Sequence, residues 1–517
     1  MIYLILAVLF FLLAWRRLSL AVGFLVAAMP AYLVRFNIFS LPSTLLEIMI
    51  WIVFLVWLVK NFGRVKNNFL DNFKKENKKI KIRYLFDWEI VLMLLISLAA
   101  AGVAGFSSSS LGIFKAYFFE PALFFIVVLN VMLTPLRPPS KGGYGGFEKI
   151  LWALAVSALA VSALAIYQKI TGQLIDNSLW AAAETRRVVS FFGYPNAVGL
   201  YLGPIILVMA GWLSSVISTP SFSEGEKSLK DFFTFKGFLT YVRNDKVKTI
   251  FISLTIILSL LSIYFAKSKG ALLGVAAGLI VFGLLAGKKI RLAAVALILI
   301  VAAGILVYQP VRNLAYDTIT FKTISGQIRL AGWSDSWRML NDGRLLTGAG
   351  LANFQNAIKP YHTEGIFIKD SNDSDAQRKL VFNEAYRTAH WQPLEIYLYP
   401  HNIILNFWSE LGLAGMLLFV WMIIKYFWMG ICLVIAGPDP QFRNMGSAET
   451  WIPGQARNDR KDWKFLNIGL ICAMVVIIVH GIVDVPYFKN DLAVMFWLFI
   501  AMISIINLEN KHENNSQ

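Results

Sequence analysis

The sequence predicts an all-α polytopic membrane protein, on three observations. Of 517 residues 57% are hydrophobic and 15% charged, apolar segments of about bilayer-spanning length recur along the whole chain, and basic residues gather in alternate loops. The formal charge of +17 is then a topology signal, and no nucleic-acid partner is expected. Cys432 and Cys472 both fall in apolar stretches, so membrane-buried thiols are expected and a disulfide framework is not. The first apolar stretch runs into Arg16 and Arg17 without a small-residue cleavage site, so that span should itself direct insertion.

Apolar segments fall near residues 2–15, 18–34, 41–59, 90–106, 113–133, 150–167, 196–217, 249–266, 271–287, 292–308, 402–424, 465–483 and 491–507. Residues 1–34 read either as two thin spans around Arg16 and Arg17 or as a re-entrant pair, which gives about 12–13 transmembrane helices. Loop 60–89 carries nine Lys and Arg, 134–149 three, 218–248 six, 288–291 three and 436–464 five. By the positive-inside rule these loops are cytoplasmic. The long loop 309–400, with ten basic and nine acidic residues, then falls on the extracytoplasmic side. The expected organisation is an N-terminal transmembrane region 1–308, this large loop with short helices, a C-terminal transmembrane region 401–507 and a polar tail 508–517. Segments 138–146 and 438–462 read as spacers. No internal repeat and no matched pair of broken helices is evident.

The large loop is too apolar for a tether. Ile328, Leu330, Trp333, Trp337 and Leu340 approximate one helical face, and a helix lying on the outer leaflet is expected there. LLTGAGLANF at 345–354 supplies a Gly-rich turn, read as a plain turn because no Lys and Ser or Thr follow as in a P-loop. Asp370, Asp373 and Asp375 lack the Gly and distal Glu of a calcium loop and read as a solvated tip.

The loop ends at His401 and Asn402. Pro400 favours a helix start near His401, and the positive end of that helix should keep the ring neutral, the state a general base needs. Asn402 either orients the imidazole or caps the helix. Gly412 and Gly415 stand three apart, as on one helix face that allows close packing. Lys115, inside an apolar segment, is either an ion-pair partner, with Glu120 five residues on, or a substrate contact. His480 and Asp484, four apart, read as a local hydrogen-bonded pair.

An Arg ahead of a Trp-containing helix (RLAGWSDSWRML), a Gly-rich turn (GAGLANF), then His-Asn, nine residues and Gly-x-x-Gly together resemble the O-antigen ligase and polymerase superfamily of bacterial envelope glycan enzymes. SFFGYPNAVGLYL at 190–202, SKGA at 268–271 and HGIVDVPYFKNDLAVMFW at 480–497 add partial similarities. The resemblance implies transfer of a glycan from a polyprenyl diphosphate carrier to an acceptor hydroxyl at the outer face of the plasma (inner) membrane, without a metal or other cofactor. It makes His401 the base and Arg329 a catalytic arginine. Lys269 stands where the family has the arginine of Ser-Arg-Gly-Ala, keeping charge but not the bidentate fork. A diphosphate leaving group needs several fixed cations, and Lys269, Arg186, Arg187 and Lys115 are the further candidates. The acceptor is a glycan, a lipid or a protein, which leaves ligase, chain polymerase and protein O-oligosaccharyltransferase open. In a different class stands a transporter or flippase of lipid-linked glycan, for which midplane sites would be expected.

Overall fold

A computed structural model describes residues 2–38, 41–74, 85–132, 145–218, 245–368, 375–435 and 454–515. Two short apolar helices, α1 (Ile2–Arg16) and α2 (Leu18–Ala27), meet at Arg17. A hairpin of β1 (Arg35–Ile38) and β2 (Leu41–Thr44), with Arg35 opposite Thr44, leads into α3 (Leu45–Lys74). α4 (Asp87–Val103) is followed by α5 (Ser108–Met132), which contains a π-helical turn over Phe114–Phe119. Next come α6 (Gly145–Thr171), α7 (Pro195–Ser218), α8 (Asp245–Phe265), α9 (Lys269–Ala286) and α10 (Lys288–Val307). The large loop holds α11 (Gln309–Ile319), α12 (Ile324–Asn341), α13 (Phe354–Ile358), β3 (Gly365–Phe367), α14 (Ala376–Phe382), α15 (Glu384–Ala389) and β4 (Trp391–Pro393), the two strands antiparallel. α16 (Ile403–Ile435), α17 (Gly454–Gly481) and α18 (Asn490–Asn515) complete the chain.

Among the described residues nine helices are long and apolar enough to cross a bilayer, or ten if the pair bent by 98° after α10 is one span. The chain is an all-α polytopic membrane protein. The count falls below the expected twelve to thirteen because α1, α2 and α4 have 15, 10 and 17 residues. At 1.5 Å per residue such helices fall short of a hydrocarbon core of about 30 Å. Residues 138–144 and 438–453 of the two spacers, with Asp370 and Asp373, lie outside the described residues, whereas 145–146 and 454–462, read as spacer, open α6 and α17.

α18 is the central post: 89% of its apolar window is buried, so its all-round hydrophobicity reflects protein on every side. α17 packs along α7 and α9. Its closest approach is glycine on glycine: a β-carbon on Gly211 would lie 2.9 Å from the Gly469 Cα and 2.7 Å from the Phe465 carbonyl. Without a hydrophobic drive between helices in lipid, such close backbone packing supplies the adhesion. α10 presents Leu297, Leu299, Ile300 and Leu306 outward. Cys472 is buried and Cys432 exposed on α16, and both are free thiols.

α12 does not use the face expected of it. Asp335, Ser336, Met339 and Leu340 are buried, whereas Leu330 and Trp337 are exposed. Met339 and Leu340 pack with Phe354, Ala357 and Ile358 into a small core inside the loop. Asp335 fastens it, accepting from the Thr363 amide (3.0 Å) and hydroxyl (2.7 Å) while pairing with Arg338.

The side assignment is checked by single cysteines in a background lacking Cys432 and Cys472. Glu384→Cys should react with a membrane-impermeant thiol reagent in intact cells, and Lys288→Cys only after lysis. The opposite labelling would put His401 on the cytoplasmic side and remove its assigned role.

Candidate active site

The segment entering α16 fixes His401 from several sides. The Tyr399 hydroxyl donates to the Phe488 carbonyl (3.2 Å) and Pro400 is buried. His401 itself has φ +50°, the left-handed region that non-glycine residues occupy at a cost of about 1 kcal/mol or more. The helix starts two residues later than expected, at Ile403. Asn402 is its cap, with Oδ1 accepting from the Leu405 amide (2.9 Å), while Nδ2 donates to the Ile482 carbonyl (3.1 Å). Asn402 therefore closes the helix end and ties it to the loop between α17 and α18. The His401 ring is edge-on to Tyr397 (centroids 4.9 Å apart).

That loop contributes Asp484. His401 Nδ1 lies 3.9 Å from Asp484 Oδ1, too far for a hydrogen bond but close for a charge interaction. Asp484 Oδ2 accepts from Asn196 Nδ2 (3.2 Å), and Asn196 Oδ1 accepts from Arg187 Nη2 (3.4 Å). Burial alone would raise the Asp484 carboxyl, but His401, His480 and the Val485 amide outweigh it and bring the group down to about 2. The expected pair with His480 is not formed, because α17 ends at Gly481 and turns Asp484 toward His401 and Asn196.

Arg329 reaches the same place from α12. Its Nε donates to the Val483 carbonyl (2.8 Å) and Nη1 to the Ser325 carbonyl (3.0 Å). Arg329, Tyr397, Glu395, Ile328 and His401 line one cavity. Burial lowers the guanidinium from its usual value, with Asp484 and Tyr397 opposing.

The other expected cations are divided. Lys269 is the exposed first residue of α9, and the adjacent Gly270 abuts His480, a β-carbon there lying 2.7 Å from the ring. It thus borders the same hub. Arg187 joins through Asn196. Arg186 turns away: its guanidinium donates to the carbonyls of Ala181 (3.1 Å) and Lys169 (3.0 Å), capping α6. Lys115 pairs not with Glu120 but with Glu47 (2.8 Å). Glu120 instead accepts from Trp51 Nε1 (2.9 Å).

Gly412 and Gly415 do not form a packing face on a straight helix. Gly412, at φ +73° and ψ −175°, breaks α16 into two. The Gly-rich turn fills that break. Leu413 donates to the Leu346 carbonyl (3.1 Å), Ala349 to the Ser409 carbonyl (2.6 Å) and Ala352 to Glu410 Oε2 (2.7 Å). A β-carbon on Gly412 would sit 2.1 Å from the Leu346 carbonyl oxygen. Gly412→Ala should therefore destabilise the protein by on the order of 2 kcal/mol, read as a lower melting temperature in detergent. Gly304→Ala, with open space around it, should not.

Asn196 is a site residue that pattern reading missed, and Asp484, singled out only as a partner for His480, faces His401 and Asn196 instead. Their signal was a proline with polar neighbours interrupting an apolar run, in FGYPNAVG and DVPYFKND.

Residues 254–420 match the family model described as O-Antigen ligase. The matched stretch contains Lys269, Arg329, His401, Asn402, Gly412 and Gly415, while Arg187 and Asp484 lie outside it. No curated protein matches the chain closely enough to be counted a relative. Over residues 254–420 the chain is therefore similar to the O-antigen ligase family, in line with its resemblance to the O-antigen ligase and polymerase superfamily.

Proposed function

We propose that this protein is a membrane glycosyltransferase of the O-antigen ligase type, transferring a glycan from a polyprenyl diphosphate carrier to an acceptor hydroxyl at the outer face of the plasma membrane. The observation that carries the reading is the meeting of His401 and Arg329 in one cavity beside Asp484. Asp484 faces Nδ1, which favours the tautomer with the proton on that nitrogen and leaves Nε2 to act. Nε2 takes the acceptor's proton as its oxygen bonds the anomeric carbon. The carbon–oxygen bond to the diphosphate breaks in the same displacement, and the leaving group departs with the electron pair. Arg329 and Lys269 offset the charge that develops there. Arg187 contributes through Asn196, and no metal takes part.

The test is reconstitution of the full-length protein in proteoliposomes with carrier-linked glycan and three acceptors: lipid A core, a second carrier-linked glycan and a protein. A covalent product with one of them, formed equally with and without chelator, is expected. Movement of donor across the membrane with no covalent product would replace this reading with transport, and loss of product with chelator would overturn metal independence.

A further inference from the structure

The loop joining α17 to α18 gathers cations in excess of carboxylates. Arg187, which donates to the Ala266 carbonyl and Asn196 Oδ1, and Arg329, which donates to the carbonyls of Val483 and Ser325, both have acceptors. Among the described residues the Lys489 side chain has none. Its Nζ stands 3.9 Å over the Tyr194 ring, and among the described residues no carboxylate lies within ion-pair distance of it. The charged groups facing it are Asp491, Asp484 and Arg35. Asp484 is engaged by Asn196 and His401, and Asp491 is buried on α18. Among the described residues four further buried polar atoms around this hub have no hydrogen-bond partner: Ser268 Oγ, at the start of α9, His480 Nδ1, His401 Nδ1 and Asp491 Oδ1. Burial lowers the Lys489 ammonium from its usual value, so the charge is held at a cost that an anion would relieve.

A ring beneath the ammonium holds Nζ in place. Lysine binds phosphate as a point charge, without the planar fork of arginine. We infer that Lys489, seated on Tyr194, is a binding residue for the diphosphate of the lipid-linked donor. The inference rests on the enzyme reading above and adds to it a cation that lies outside the matched family region.

The experiment uses full-length protein in nanodiscs of neutral lipid, with polyprenyl diphosphate and polyprenyl monophosphate as probes. Lys489→Gln should weaken diphosphate binding about tenfold or more, as truncating one partner of a buried charge pair does, and should affect the monophosphate less. Lys489→Arg should bind the diphosphate nearly as wild type. Unchanged diphosphate affinity in Lys489→Gln, or an equal loss for both lipids, would leave Lys489 as a cation–π anchor only and overturn the inference. Should Lys489→Gln fail to accumulate, acetylation of Lys489 in the wild type, followed by mass spectrometry, decides the matter. Polyprenyl diphosphate should slow it, and an unchanged rate would overturn the inference. Normal diphosphate binding by Lys489→Gln in a preparation whose wild type transfers glycan would remove Lys489 alone. Absence of any transfer by the wild type would instead remove the enzyme reading.

Discussion

His401→Ala is expected to abolish measurable glycan transfer while the lipid-linked donor still binds. An acceptor hydroxyl is a weak nucleophile, and moving its proton to a positioned imidazole contributes roughly a hundred- to ten-thousand-fold. His401→Gln keeps hydrogen-bonding capacity but cannot take the proton, so it should restore folding without restoring rate. Wild-type turnover in His401→Gln would end the general-base assignment and leave catalysis to leaving-group stabilisation. The wild-type rate should also fall at acidic pH. Because the Asp484 carboxyl is held down to about 2, Asp484 stays ionised over any assay range above about pH 4 and does not itself cause that fall. Asp484→Asn removes the anion that faces Nδ1, so the rate should fall across the pH range. An unchanged rate in Asp484→Asn would reduce Asp484 to a partner of Asn196.

Arg329→Ala is expected to slow transfer by about two orders of magnitude or more, the loss found when a fixed donor to developing charge is removed. The guanidinium is partly desolvated beside His401, where an interaction with a diphosphate is screened less than at an open surface. It also holds the Val483 carbonyl, so a melting temperature must accompany the rate. Lys269→Arg should be tolerated and Lys269→Ala impaired, since charge at the start of α9 matters there more than the shape of the donor. Equal activity of Arg329→Ala, Lys269→Arg and Lys269→Ala at equal membrane abundance would make these residues interfacial anchors. Arg186→Gln should act on stability alone, because its donors already meet the carbonyls that end α6.

Much of the fold was legible because the bilayer is an undemanding reader. A run of apolar residues declares a span with no knowledge of what packs where, and so α3, α5 to α9 and α16 to α18 fall close to the apolar segments. The count was less legible, because α1, α2 and α4 are largely apolar yet too short. Spacing misled at α12, whose buried face is chosen by Phe354 and Thr363 arriving from elsewhere in the chain. It misled again at Gly412, where a single left-handed residue turns a helix face into a break.

By itself the sequence determined the membrane class, the position of His401 at the junction of loop and span, and the charge on Arg329, Arg187 and Lys269, since each follows from residue type and local order. Only the tertiary structure decided which of these meet. His401 and Asp484 are 83 positions apart, Arg187 and Asp484 nearly three hundred, and no periodicity connects side chains at such separations. Their juxtaposition depends on α17 packing along α7 and α9, and on the loop 482–489 folding over the ends of those helices. The same packing took Arg186 and Lys115 out of the cluster, because a carbonyl or carboxylate already within reach satisfies a cation before any substrate arrives.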